Sequence, residues 1–506
     1  MNIVAQLLCS DRLAEVGTQI ALKWKLGSWT YTELAGRVHL NSVELRQSGI
    51  GSGERVVFRC LDTAQFVAMY LAVINIGAVA VAVSTRLDNV ELRNVIDDSQ
   101  AVAFVHDPGD TDELCHLPQV VSGELRLIEL TDWALDTNKE FPLAAMPKDA
   151  GDECLWVYSS GSTSRPKGIV HTHRKISDCC HFHTDTLKAG PGDVVFCTSK
   201  LSFAYALANG LLAPLMIGAT VYLHPQWLTI SEVHEIIVTE SPKAVFSVPT
   251  IYRRLLGKLT ADELGSLSDV EHFVSAGEHL PSQVQDAWCR TVGSRIINVY
   301  GCSETLFLAL AGHCDHTSPE SVGKPLPGVK PELVRTDGDS AGVPKQAVLR
   351  ITHPFMFKCY ANREQETADR LLGNQFVTGD LYHCDSAGDW HHQGREDDLI
   401  KVSGQWVHLR DVEKVGQQSD VASDVTVLSA ADDTGTERPA LFFIPSDNTA
   451  ASAACDRMRE HMNRKLSKFK QPRWIRAVEE FPRTVNGKIS RGRLRLLVEG
   501  TERDSV

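Results

Sequence analysis

From Glu54 onward the chain alternates short apolar runs with segments whose apolar residues recur at helical spacing, and this rhythm constrains the fold more than any other feature. Residues 55–59 read as a strand, 63–76 as a helix, 78–83 as a second strand, 88–99 as a helix and 101–106 as a third strand. The rhythm returns between residues 193 and 299, with strands expected at 194–197, 220–223, 244–248, 272–275 and 296–299. Strands separated by helices return in the same direction, so the sequence implies α/β layers around a largely parallel sheet.

After Tyr300 the texture changes. Pro325, Pro327, Pro331 and several glycines mark turns between short strands up to about residue 377, which implies a β subdomain. The last segment has its own strands at 425–428 and 440–443 and a basic helix at 453–468, which suits a small, mobile α+β domain. The 506 residues exceed what one compact core accommodates. The boundary is expected in the polar run Arg395-Glu396-Asp397-Asp398, giving domains 1–396 and 397–506.

Composition removes several classes of function. The net charge is −13 with no long basic run, which speaks against a nucleic-acid groove. With 43% hydrophobic and 23% charged residues the chain reads as a soluble globular protein. The first ten residues lack a basic segment before their short apolar stretch and do not read as a signal peptide. No apolar run reaches the roughly 20 residues that span a bilayer. Residues 207–223 come nearest, but Asn209, Gly210, Pro214 and Gly218 interrupt them, so they read as buried core. Thirteen scattered cysteines without framework spacing read as reduced thiols in a cytoplasmic protein.

The strongest local signal is Tyr158-Ser159-Ser160-Gly161-Ser162-Thr163-Ser164-Arg165-Pro166-Lys167-Gly168, after an apolar run at 155–157. Hydroxyls, glycines and cations crowd into one loop. Such a loop can wrap a polyphosphate with backbone N–H groups and hydroxyls while the cations neutralise charge. It lacks the Gly-Lys-Ser/Thr ending of a P-loop, and a plain solvent loop is the competing reading. A second signal, Thr378-Gly379-Asp380-Leu381, places a carboxylate beside a glycine turn at an expected strand end, where it can take two ribose hydroxyls. Taken alone it is ordinary turn chemistry. The third, Pro482-Arg483-Thr484-Val485-Asn486-Gly487-Lys488-Ile489, uses the tight Asn-Gly turn to present Lys488 at a loop tip.

Together with Val299-Tyr300-Gly301-Cys302-Ser303-Glu304 and the run from Gly394 to Gly404, these motifs resemble those of the adenylate-forming superfamily in order and approximate spacing. That superfamily holds acyl- and aryl-CoA synthetases, peptide-synthetase adenylation domains and luciferases. The resemblance covers nearly the whole chain and is nearest to benzoate-CoA-ligase-like aryl-CoA ligases. It is carried there by Tyr158-Ser159-Ser160-Gly161-Ser162-Thr163, His171-Thr172-His173, Lys200-Leu201-Ser202-Phe203-Ala204-Tyr205, Ser275-Ala276-Gly277-Glu278 and Lys470-Gln471-Pro472-Arg473-Trp474.

The resemblance implies a reaction in two steps: a carboxylic acid and ATP give acyl-AMP and pyrophosphate, and a thiol then displaces AMP. It also implies roles. Ser159, Ser160, Gly161, Ser162, Thr163 and Lys167 hold the β and γ phosphates. Ser303 touches a phosphate and Glu304 holds Mg²⁺. Tyr300, followed by Gly301, stacks on adenine near Ala276, Gly277 and Glu278. Asp380 takes the ribose hydroxyls with Arg395 close by, and Lys488 bridges the carboxylate and the α-phosphate. Asp397 matches the hinge of the mobile domain, and Gly404 lies where the pantetheine passes. Phe203, Ala204, Tyr205 and Leu207 match the acyl pocket.

Coenzyme A is the favoured thiol, with a carrier-protein phosphopantetheine or a non-thiol nucleophile as alternatives. An aryl or arylalkenoic acid is the expected substrate. Two positions depart from the family. Ser164 stands where glycine is usual, and Phe307 stands where benzoate-type ligases carry a histidine near the substrate carboxylate. The tract His171-Thr172-His173 with Cys179-Cys180-His181-Phe182-His183 looks like a zinc site, but the family places no metal there. His391-His392 reads as a turn before Arg395.

Overall fold

The computed structural model describes residues 2–109, 125–131, 141, 143–159, 166–312, 320–335, 347–402, 405–432, 435–446, 450–483 and 489–499. They divide into two compact units. The first comprises Met1–Pro331, Ile351–Phe376 and Cys384–His391, and the second Glu332–Arg350, Val377–His383 and His392–Val506.

Two sheets dominate the first unit. One runs Cys359–Tyr360, Lys167–Thr172, Glu153–Ser159, Val79–Ala82, Arg55–Arg59, Ala103–His106, Arg126–Glu129. Its strands are parallel from Glu153–Ser159 to Arg126–Glu129 and antiparallel at the other edge. The other runs Lys324–Pro325, Leu308–Ala311, Ile296–Gly301, His272–Ser275, Ala244–Ser247, Val194–Cys197, Thr220–Tyr222, Ile20–Trp24, Gly27–Thr30, with parallel pairing through its centre. The layered α/β fold with a small additional α+β part is therefore as the rhythm implies.

The helices between the layers start where the sequence provides caps. Thr63 accepts from the Phe66 N–H and opens Ala64–Asn75, every residue of which except Gln65 is buried. Asp88 and Glu91 form a capping box at the head of Asn89–Ser99, and Thr30 and Glu33 do so for Tyr31–Gln47. A helix apolar on all sides belongs between layers, and Ala64–Asn75 shares one core cluster with Ile3, Leu7, Leu201, Leu207 and Leu215.

In the second unit Ala422–Ala431 and Glu437–Pro445 pair antiparallel, and Trp474–Ala477 joins the latter in parallel. The parallel pair needs a crossover, and Ala451–Lys465 is that helix. Its Met458 and Met462 pack with Val425, Leu441 and Ile475.

Two local readings are corrected. Thr378-Gly379-Asp380 does not follow a strand; it lies inside Gln375–Cys384, where Gly379 takes a left-handed φ of 75° within extended backbone. His391-His392 likewise lies in the strand Trp390–Arg395 and not in a turn. Residues 207–223 are indeed buried through Leu215, but Leu207–Leu212 forms a π-helical turn that no periodicity announced. Among the described residues no helix is long and apolar enough to cross a membrane.

Candidate functional site

The parallel strands of the larger sheet end near the residues expected to meet a nucleotide, as open α/β sheets place their ligands. Ala276 is buried directly after His272–Ser275, and its N–H donates to the Ser247 carbonyl at 3.3 Å. Gly277 follows with φ 82°, a conformation that suits glycine. Glu278 accepts from the Thr250 hydroxyl at 2.8 Å. Tyr300 and Gly301 close the strand Ile296–Gly301, and the pairing with Leu308–Ala311 shifts register between them. A Cβ on Gly301 would sit 3.2 Å from the Phe307 carbonyl oxygen, so the chain there passes close to the next segment.

Ser303 and Glu304 lie on the turn that follows, and buried groups hold that turn from several sides. The Thr305 hydroxyl donates to the Phe307 carbonyl at 2.9 Å, and Leu306 is left-handed with φ 59°. His171 Nε2 donates to the Ser303 carbonyl at 2.8 Å. His353 Nε2 donates to the Leu308 carbonyl at 3.1 Å while its Nδ1 accepts from the Phe355 N–H at 2.9 Å, which fixes a neutral tautomer. The Phe357 N–H donates to the Glu304 carbonyl at 2.8 Å.

The carboxylate of Glu304 accepts from the Tyr360 hydroxyl at 2.7 Å and lies 3.8 Å from Lys167 Nζ. Lys167 also pairs with Glu366 at 2.9 Å and sits 3.9 Å over the Tyr360 ring. Burial, and then the charge of Glu304, raise the Tyr360 pKa, so its hydroxyl is a donor here.

Ser159 pairs with Lys167 in an antiparallel hairpin, and these two residues flank the segment expected to hold phosphates. Ser160, Gly161, Ser162 and Thr163 lie outside the described residues, as do Gly404 and Lys488. Arg483 and Ile489, which flank Lys488 in the sequence, form an antiparallel bridge, and the Ser490 N–H donates to the Pro482 carbonyl at 2.7 Å.

The residues matched to the acyl pocket do not all meet. Ala204, Leu207 and Phe307 share one buried cluster with Phe355, whose ring meets that of Phe307 edge-on at 5.0 Å. Tyr205 packs instead on Phe246 at 6.0 Å, in a different cluster. Phe203 faces Trp227 at 6.3 Å.

In the second unit, Asp380 is 8% exposed and accepts from Arg395 at 3.1 Å. Its backbone N–H donates to the Thr378 hydroxyl, so the motif holds its own carboxylate in place. Asp397 is exposed in the single turn Glu396–Asp398, while its neighbour Asp398 is buried and paired with Arg491.

Among the described residues no group of three or more histidine, cysteine, aspartate or glutamate side chains is arranged to hold a metal ion. His183 instead stacks on Phe246 at 5.2 Å and donates to the Asn209 carbonyl. Sequence reasoning missed His353, Tyr360 and Glu366, which carry no motif of their own. It flagged His171 as part of the resemblance and as a possible metal ligand, but not for its contact with Ser303.

Burial lowers the pKa of His171, His173, His183 and His353 to about 4. Burial also raises Asp62 and Glu413 to about 6. The signs oppose each other. Histidines depressed from about 6.5 give stability that is full above that pH and lost as pH falls toward 4. The two carboxyls give stability that is present at low pH and lost as pH rises through 6. Four histidines displaced about as far as two carboxyls decide the balance. The thermal midpoint should therefore fall steadily from pH 6.5 to 5, and a midpoint that is flat or rising toward pH 5 would contradict this.

Residues 10–361 match the model of the AMP-binding enzyme family, and residues 411–488 match that of the AMP-binding enzyme C-terminal domain. The chain is 33% identical to the 3-hydroxybenzoate–CoA ligase of Aromatoleum sp. (strain CIB), covering 99% of this chain and 97% of that one. It is 32% identical to the benzoate–CoA ligase of Thauera aromatica, covering 98% and 95%. The solved structure of a benzoate CoA ligase from Burkholderia xenovorans LB400 aligns with a TM-score of 0.84 at 27% identity, covering 98% and 100%.

Proposed function

The chain belongs to the AMP-binding enzyme family, and on that premise we propose that it is an AMP-forming ligase that joins an aryl acid to coenzyme A. Similarity over 99% of the chain to a CoA ligase for a hydroxylated benzoate is the observation that carries this reading. The acid attacks the α-phosphate of ATP, pyrophosphate leaves, and the coenzyme A thiol then displaces AMP. A carrier-protein thiol or a non-thiol nucleophile is not favoured, because these relatives are named for coenzyme A. The free cysteines go with a cytoplasmic setting.

The roles follow the chemistry. Attack of a carboxylate on a phosphate brings anions together, so the catalyst must screen them and hold their geometry. Ser159, the loop after it and Lys167 take the β and γ phosphates. Tyr300 and the backbone of Ala276, Gly277 and Glu278 take the adenine, and Asp380 with Arg395 takes the ribose. Lys488 bridges the acid carboxylate and the α-phosphate. Asp397 is the hinge of a C-terminal domain, 397–506, and Gly404 lets the pantetheine approach closely.

Mg²⁺ fits the residues present. It commonly binds through one or two carboxylates plus substrate phosphates, and Glu304 offers one carboxylate beside the cation of the phosphate loop. When bound it offsets the charge of the departing pyrophosphate.

Phe307 bears on which acid is used. A phenyl ring cannot donate the hydrogen bond that an imidazole would give a benzoate carboxylate. Phe307 is, moreover, fully buried against Phe355. Carboxylate placement then rests on groups that act on any acid, and selectivity rests on apolar contact, worth roughly 0.8 kcal/mol per buried CH₂. A hydroxy-, amino- or cinnamate-type acid should exceed unsubstituted benzoate in kcat/KM, and medium-chain fatty acids should be poorer than either. A pyrophosphate-release panel at matched concentrations tests this. Benzoate ranking first would remove the argument from Phe307, and a fatty acid ranking first would remove the aryl pocket.

A further inference from the structure

Tyr360 touches both the phosphate-loop cation and the carboxylate assigned to Mg²⁺. It ends the strand Cys359–Tyr360, paired with Ile169 at the edge of the sheet. Its hydroxyl donates to Glu304 Oε1 at 2.7 Å, and its ring face lies 3.9 Å from Lys167 Nζ. Lys167 Nζ is 3.8 Å from that same Oε1.

The tyrosine itself is tightly held. It is 2% exposed, its ring packs on Phe357 at 4.8 Å, and its N–H donates to the Thr367 hydroxyl at 3.0 Å. The same short segment reaches the base of the phosphate loop, because Arg363 donates to the Pro166 carbonyl at 3.2 Å.

An ammonium and a carboxylate this close attract each other. A direct pair would withdraw both from their ligands, the lysine from phosphate and the glutamate from metal. The tyrosine hydroxyl occupies the carboxylate oxygen that faces the lysine, and its ring offers the ammonium another attractive surface. Glu366, itself held by Arg363 at 3.4 Å, gives Lys167 a partner at 2.9 Å on a side chain that carries no other role.

We propose that Tyr360 is a positioning residue for Mg²⁺-dependent nucleotide binding, holding Glu304 and Lys167 apart so that the carboxylate meets the metal and the ammonium meets phosphate. This rests on the reading of Glu304 as the Mg²⁺ carboxylate. A group that orients a metal's ligand typically costs 10–100-fold in metal affinity when removed.

The test is calorimetric titration of α,β-methylene-ATP into the full chain over a range of Mg²⁺ concentrations, with the thermal midpoint read on the same samples. Tyr360→Phe keeps the ring face and the packing and removes only the hydroxyl. The Mg²⁺ concentration for half-maximal binding should rise about 10-fold with the midpoint unchanged, and Mg²⁺-free binding should weaken as Lys167 is drawn to Glu304. Glu304→Gln should shift the Mg²⁺ dependence at least as far. A shift in Glu304→Gln with Tyr360→Phe at the wild-type value would overturn the proposal and leave the role of Glu304 standing. No shift in Glu304→Gln would overturn the role of Glu304, and the proposal with it. A Tyr360→Phe chain whose Mg²⁺ dependence shifts only together with a lowered midpoint would make Tyr360 structural and also overturn it.

Discussion

Lys488→Ala should lose about 10²–10³ in the rate of adenylate formation and still form thioester from supplied acyl-AMP. Lys488 belongs to the sequence Asn486-Gly487-Lys488, from which a tight turn with the lysine at its tip is expected. Arg483 and Ile489, on either side of it in the sequence, form an antiparallel bridge. The first step places a carboxylate against the α-phosphate, where one cation shared by both anions lowers the barrier. In the second step the anhydride already exists and a thiol attacks its carbonyl, so the same cation has no pair of anions to bring together. Single-turnover rates of the two half-reactions separate these cases. Equal loss in both would refute the division of labour.

Asp397→Pro should have the opposite signature, sparing adenylation and lowering thioester formation by about 10²-fold. Proline fixes φ and disfavours helical backbone at the residue before it, here Glu396 in the turn Glu396–Asp398. Asp397 is exposed, so the substitution removes no buried contact of its own. Asp398 next to it is buried and paired with Arg491, which anchors the chain beyond the turn. If thioester formation needs a backbone rotation at 397, a locked φ blocks it while the adenylating arrangement survives. The same single-turnover assay reads both steps. Wild-type rates in both would move the hinge elsewhere, and loss of adenylation alone would reverse the assignment.

Much of the fold was legible because burial on both faces produces apolar runs with clear ends. The strands Val194–Cys197 and His272–Ser275 were read to the residue, and the helices read from 63 and 88 begin one residue later, after their caps Thr63 and Asp88. Gly379 misled because glycine inside extended backbone is indistinguishable, in sequence, from glycine in a turn. The π-helical turn at Leu207–Leu212 was hidden because every residue in it is buried, so no face is marked by polarity.

Within the candidate site the division is similar. Lys167 and Glu304, read from two separate motifs, do lie 3.8 Å apart. His171 and Tyr360 act on residues 132 and 56 positions away, and nothing local in the sequence records those contacts. The acyl-pocket segment shows a further limit: neighbours such as Ala204 and Tyr205 part into different clusters, because a helical turn sends adjacent side chains to different faces.

The most direct test of the account is product analysis after incubating the chain with 3-hydroxybenzoate, ATP, Mg²⁺ and coenzyme A. Mass spectrometry and nucleotide chromatography should show the acyl-CoA thioester, AMP and pyrophosphate in equal amounts. Formation of ADP and phosphate, or AMP and pyrophosphate from a panel of aryl acids with no acyl-CoA at any coenzyme A concentration, would contradict it.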